Sequence, residues 1–222
     1  MTRNSDATSE DAGWIVLLNG TPRAGKSSIA HAVQRELDGV WMNLGVDHFK
    51  AATPERFQPG VGLRPGGERP DLEPLIQRLY HAMYASLAAH SRAGLNVVAD
   101  VVHHDAYSRP LGIRPSCAKL LRGLPTLVVG VRCPLEEVLT RRERTWESGR
   151  DANGEALAPV LRWQQAVHDP RIYDLEVDTS QLSPEQSAAL IAQRLRQRNE
   201  AAADSARIPS AIDRWAALPV PV

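Results

Sequence analysis

Gly20-Thr21-Pro22-Arg23-Ala24-Gly25-Lys26-Ser27 matches the spacing G-x-x-x-x-G-K-[ST] residue for residue. That spacing has a chemistry. Glycines let the backbone curl until its N–H groups face phosphate oxygens, the lysine reaches the β- and γ-phosphates, and the closing hydroxyl can ligate Mg²⁺. Ser28 carries the run into a helix, whose positive N-terminal end adds to the pull on an anion. Gly20 to Ser28 are therefore expected to hold the phosphates of ATP, with Lys26 and Ser27 as the specific phosphate and Mg²⁺ contacts. Lysine is scarce in this chain, occurring only at Lys26, Lys50 and Lys119. Its presence at the one position the spacing demands is informative.

Two carboxylates and a group of arginines could complete such a site. Asp47 closes Gly45-Val46-Asp47, and Asp100 closes Val97-Val98-Ala99-Asp100; both follow apolar runs. Ligands of open parallel sheets collect at the carboxyl ends of strands. There, Asp47 can accept the proton of a substrate hydroxyl as its oxygen attacks the γ-phosphate. It can equally cap a helix, and the two roles are compatible. Asp100 has the Walker B arrangement, holding Mg²⁺ directly or through water; the plainer alternative is an ordinary strand-ending acid. Arg141, Arg142, Arg144 and Arg150 fall in one segment. Guanidinium forks suit phosphate, so the segment reads as a lid over ATP, with Arg142 and Arg150 as its catalytic arginines. Glu136, Glu137 and Glu143 lie among them, and a salt-bridged solvated helix face is the competing reading. His103-His104-Asp105 reads as a substrate-lining loop with His104 toward the substrate, rather than as a metal site, because adjacent residues diverge.

Elements that would position these groups alternate along the chain. Short apolar runs over 14–19, 39–46, 95–102, 125–132 and 173–178 predict buried parallel strands. Helical spacing predicts helices over 26–37, 72–92, 115–122, 134–147, 155–167 and 184–198. Strands alternating with helices imply right-handed βαβ units. The expected fold is α/β: a P-loop kinase-like three-layer α/β/α sandwich with a five-stranded parallel sheet and a helical lid. Residues 50–71, with Pro54, Pro59, Pro65 and Pro70, predict a long loop on the acceptor side. The domain reading is a disordered 1–12, a kinase domain over 13–198 with its lid at 141–159, and a partly docked appendage over 199–222, held through Ile212 and Trp215.

Bulk properties narrow the class. The chain has 222 residues, 43% hydrophobic and 23% charged, with zero formal net charge. That suits one globular domain and gives no basic field to steer it onto nucleic acid. Two cysteines, Cys117 and Cys133, suit a reducing compartment. The polar N-terminus has no apolar signal region and no stretch reaches membrane-spanning length, so a cytoplasmic protein is expected.

Beyond the phosphate loop, the pieces resemble one family. Leu18-Asn19-Gly20 with Ala24-Gly25-Lys26-Ser27, Gly45-Val46-Asp47 with Pro54 seven residues on, and Asp100-Val101 look like the chloramphenicol phosphotransferase family. So do Gly130-Val131-Arg132-Cys133, Arg142-Glu143, and Val167-His168 leading to Tyr173-Asp174-Leu175-Glu176-Val177-Asp178-Thr179. The resemblance spans residues 14–195. It implies an ATP- and Mg²⁺-dependent kinase acting on a small-molecule hydroxyl, with Asp47 as general base. The chain departs from the pattern in places. Ala99-Asp100 stands where two aspartates are paired, Trp146 stands where an arginine is expected, and the turn over 151–159 is extended. Two other readings stay open: a kinase for a nucleoside, sugar or nucleotide sugar, and a nucleotide-dependent switch without an acceptor. The chain has no N-K-x-D base-reading motif that a switch would use.

Overall fold

The computed structural model describes residues 12–145, 149–203 and 209–220. Its centre is an all-parallel sheet of β1 (Ile15–Asn19), β2 (Trp41–Asn43), β3 (Asn96–Val101), β4 (Thr126–Arg132) and β5 (Leu175–Asp178), in the order β2-β3-β1-β4-β5. Between strands run α1 (Lys26–Glu36), α2 (Val46–Ala51), α3 (Glu73–Arg92), α4 (Ile113–Leu120), α5 (Leu135–Thr145), α6 (Ala158–Ala166) and α7 (Pro184–Ala203), with α8 (Ala211–Ala216) last. β1 is buried at all five positions, which is why it reads as an unbroken apolar run.

Two cores give the three layers. Alternate β1 residues Ile15 and Leu17 face Ile76, Tyr84 and Leu87 of α3, Cys117 of α4 and Trp215 of α8. Val16 and Leu18 face Ile29 and Val33 of α1, Leu139 of α5 and Ile191 of α7. The period-two alternation of a strand thus sorts one sequence run onto two helical layers. Register then fixes the site: Leu18 pairs with Asp100, one residue before β1 ends. The α/β/α sandwich and the five-stranded parallel sheet are as the sequence predicts. No helix among the described residues is long and apolar enough to cross a membrane.

Several boundaries differ from the sequence expectation. The second strand is three residues, not 39–46, because the chain turns at Gly45 into α2, a helix the apolar pattern hid. The predicted loop over 50–71 contains the end of α2 and two 3₁₀ turns, Glu55–Phe57 and Gly60–Leu63. α6 begins at Ala158 rather than 155, since Asp151 Oδ1 accepts from the Asn153 and Glu155 amides (2.8 and 3.0 Å) and holds a turn there. α7 continues to Ala203, past the expected end at 198. Trp146 and the N-terminal residues 1–11 fall outside the described residues.

The C-terminal segment is docked more completely than expected. Ser210 and Asp213 form a reciprocal capping box, which starts α8 abruptly. Asp174 Oδ1 accepts from the Ala211 amide (2.8 Å), and Trp215 Nε1 donates to the Ile172 carbonyl (2.9 Å). The indole is 1% exposed and lies edge-on to His103. Trp215→Ala is therefore expected to lower unfolding stability by about 3–5 kcal/mol, as large core truncations do. An unchanged urea midpoint would show that α8 contributes nothing to the fold.

Candidate active site

The loop after β1 curls through two left-handed residues, Arg23 (φ 70°) and Gly25 (φ 90°). Gly25 caps α1, and a side chain there would be strained by that backbone. The Ala24 amide donates to Thr21 O (3.1 Å), and Ala24 O accepts from Thr179 Oγ1 (2.8 Å), tying the loop to the end of β5. Gly20, Thr21 and Ala24 are buried; Pro22 and Arg23 are half-buried, and Ser27 and Ser28 are exposed on the cleft. Below the loop, Asn19 is fully partnered. Its Nδ2 donates to Val167 O and Tyr173 Oη (2.9 and 3.0 Å), and its Oδ1 accepts from the His103 amide (2.8 Å). Tyr173 Oη in turn lies 2.8 Å from His168 Nδ1. Burial, with Arg132 adding, lowers His168 to about 4, so the ring is neutral and can accept.

Lys26 is buried, and its ammonium donates to the carbonyls of Gly20 and Thr21 (both 2.9 Å). Two of its three protons are used there. Burial brings it from 10.5 to about 8, while the Asp100 and Asp47 carboxylates pull the other way. Asp100 is raised, first by burial, with Lys26 opposing and Asp47 adding. These three groups therefore share one field. Asp47, exposed in the first turn of α2, faces the same cleft as Asp100. Gly45 makes their approach possible: a Cβ there would lie 1.6 Å from Asp100 Oδ1. Ser27, Asp47 and Asp100 supply hard oxygen donors, the chemistry a Mg²⁺ ion requires.

The arginines separate by geometry. Arg141, not one of the two favoured from sequence, reaches the loop: its guanidinium donates to Thr179 Oγ1 and O (3.0 and 2.8 Å) beside it and to Arg23 O at 3.5 Å. Glu137 holds its Nε at 2.8 Å. Arg142 is half-buried and lines the cleft. Arg150 does not; it is paired with Glu136 and Glu143 and donates to Gly154 O. The salt-bridge alternative therefore describes Arg150 better than the lid reading does. His104 is also corrected. It is buried between Tyr107 and Trp163, with Nε2 against Leu63 O (2.9 Å), and supports the cleft wall from behind.

On the acceptor side, the cleft is walled by Val46, Leu63, Val102 and Trp163, and Lys50 and Arg64 also line it. The proline-rich loop is fastened there by several ties. The Gly66 amide donates to Ala106 O (2.7 Å), buried Glu73 accepts from the Ser108 amide (2.7 Å), and Arg162 pairs with Glu68. Sequence reading missed Lys50, Arg64, Trp163 and Thr179, because only the fold brings their segments together. Thr179 carried the one available signal, as the last residue of the Tyr173–Thr179 run.

The sequence model of chloramphenicol phosphotransferase-like proteins matches residues 13–196. The chain belongs to that family. A Mycobacterium tuberculosis protein whose name proposes O-phosphotransferase activity is 28% identical over 188 residues, 76% of each chain. Among solved structures, an APS kinase from Mycobacterium tuberculosis superposes with a TM-score of 0.57 at 18% identity, covering 83% of this chain and 98% of that one. A shikimate kinase from Acinetobacter baumannii gives 0.54 at 14% identity, with 84% and 94% covered. A gluconokinase from Sinorhizobium meliloti gives 0.54 at 16%, with 88% and 98% covered. These likenesses show the P-loop kinase fold for this family member.

The Lys26 shift has a sign that can be measured. Between about 8 and 10.5 the unfolded chain binds a proton that the folded chain does not, so this group makes stability rise with pH across that window. Phosphates favour the charged lysine, so nucleotide affinity is expected to fall above pH about 8, by up to about ten-fold per pH unit. Calorimetry on both sides of that value checks it; a flat wild-type profile would remove Lys26 as the titrating group. Gly45→Ala is expected to displace the Asp100 carboxylate and abolish turnover while the protein stays folded. Full activity in that variant would show that the close approach is not required.

Proposed function

We propose that this family member transfers the γ-phosphoryl group of ATP to a hydroxyl of a small molecule. One observation carries the reading: the phosphate-loop lysine and the carboxylates of Asp47 and Asp100 share one cleft of about 1080 Å³. Single small-ligand sites typically enclose about 300–1,000 Å³, so a nucleotide and a small acceptor fit side by side. Backbone amides of Gly20–Ser28, the Lys26 ammonium and the α1 N-terminus bind the phosphates. Arg23, Arg141 and Arg142, which line the same cleft, neutralise charge on the transferring group. Ser27 and Asp100 are the residues to hold Mg²⁺, directly or through water; when bound, the ion offsets charge on the phosphate oxygens.

Asp47 takes the acceptor proton. As the hydroxyl oxygen bonds to the γ-phosphorus, the bond to the bridging oxygen breaks, ADP leaves, and the proton passes to the Asp47 carboxylate. Exposure on the cleft lets Asp47 return that proton to water afterwards. Apolar Val46, Leu63, Val102 and Trp163 keep water from competing with the acceptor. A nucleotide switch would leave Asp47 and this apolar pocket without work.

Asp47→Asn is expected to reduce kcat by about 10²–10⁴ while ATP affinity holds, the range for losing a general base. An unchanged kcat/KM would remove Asp47 from that role. ATP consumption should be screened against chloramphenicol, other hydroxylated antibiotics, nucleosides and sugars, with a phosphate adduct detected by mass. Phosphate release with no adduct on any acceptor would favour the switch.

A further inference from the structure

The cations of the acceptor-side loop divide into two groups. Arg56 lies over the Phe57 ring (4.7 Å), Arg69 pairs with Asp71 at 2.7 Å, and Arg162 of the neighbouring α6 pairs with Glu68. Each has a partner within the chain. Lys50 and Arg64 are different: both are exposed, both line the cleft, and neither is ion-paired among the described residues. Lys50 lies three residues after Asp47 on α2, so the two share a helix face. Arg64 leaves the second 3₁₀ turn right after Leu63, whose carbonyl is held by His104 Nε2 (2.9 Å). Both backbones are thus anchored, and both side chains line the cleft that Asp47 also lines. Lys26 and Arg23 belong to the phosphate loop, and Arg141 and Arg142 line the same cleft.

We propose that Lys50 and Arg64 form an anion subsite, so that the acceptor carries a carboxylate or phosphate in addition to its reacting hydroxyl. This rests on the phosphoryl-transfer reading and narrows it. The chemistry is consistent with the base next door. An acidic acceptor brought up to Asp47 would be repelled by that carboxylate. Lys50, one turn away on the same face, offsets the repulsion, and the Arg64 fork fixes the acid's orientation. The rest of the acceptor then packs on Trp163, Leu63 and Val102. The family name points to a neutral alcohol; this pair of charges points to a hydroxy acid or a phosphorylated alcohol.

The test fills the donor half first, so that anions cannot occupy the phosphate loop. Full-length protein saturated with Mg²⁺ and AMP-PNP is titrated with charge-matched pairs: gluconate beside glucose, quinate beside its methyl ester, and glucose 6-phosphate beside glucose. Turnover of each with ATP is followed by mass. At least one acidic member is expected to bind about ten-fold more tightly than its neutral partner, the scale of one good charge-assisted contact. Lys50→Met and Arg64→Met should each remove about that factor, with partial recovery in Arg64→Lys. The carboxylate and phosphate arms tell which acid is read. Equal binding of the neutral partners, or no binding of any acid, overturns the subsite. So does a loss of AMP-PNP affinity in the variants as large as the loss for the acid, which would assign both cations to the nucleotide. If AMP-PNP itself does not bind, the kinase reading fails, and the titrations without nucleotide decide the subsite through the variants: acid binding that Lys50→Met and Arg64→Met leave unchanged belongs to the phosphate loop and overturns it.

Discussion

An ammonium group held out of water at the head of the central strand is the constraint on which the rest of this site depends. Burying an isolated charge is expensive, and it persists only where partners surround it. Lys26 has Gly20 O and Thr21 O at 2.9 Å and the fields of Asp100 and Asp47. Each partner in turn constrains the fold. The carbonyls face inward only because the loop passes through left-handed Arg23 and Gly25. Asp100 arrives because β3 pairs with β1 in a register that sets Leu18 opposite it. Asp47 arrives because Gly45 has no side chain to keep α2 away from Asp100.

How much of this was legible follows from how locally each piece is encoded. The phosphate loop, Asp100 near the end of β3 and the parallel sheet rest on contiguous residues, and the structure brings them together as the sequence implies; Asp47 lines the same cleft from the first turn of α2 rather than from a strand end. α2 was hidden because six residues are too few to show a helical period, and Val46 extends an apolar run that reads as strand. Arg141 and Arg150 exchanged roles for a different reason. Arg141 is on α5, whereas Arg150 lies beyond its end and bridges to Ala156, so spacing alone cannot say which one faces the loop and which meets Glu136. The acceptor wall was least legible. Leu63, Trp163 and His104 come from three separate segments, and only the ties at Ala106, Ser108 and Glu68 bring them to one surface.

Asn19 shows how the two halves of the cleft are joined behind the site. It ends β1, directly before the phosphate loop, yet its side chain holds Val167, Tyr173 and the His103 backbone. His103 then meets Tyr84 (2.7 Å) and the ring of Trp215. A buried polar network with every member satisfied specifies one arrangement of its surroundings. The C-terminal turn, which lies beyond the residues matched by the family model, is therefore continuous with the floor of the nucleotide site.

The strand order has a dynamic consequence. β1 lies between β3 and β4 and is paired along its whole length on both sides, so the phosphate loop grows from the most protected part of the sheet. β2 is an edge strand of three residues, paired on one side only, and it feeds directly into the helix carrying Asp47 and Lys50. Short edges open at low free energy while central strands stay closed. Backbone amides of Trp41–Asn43 should exchange with solvent long before those of Ile15–Asn19. The phosphate loop would then be held rigidly while the helix carrying Asp47 and Lys50 breathes.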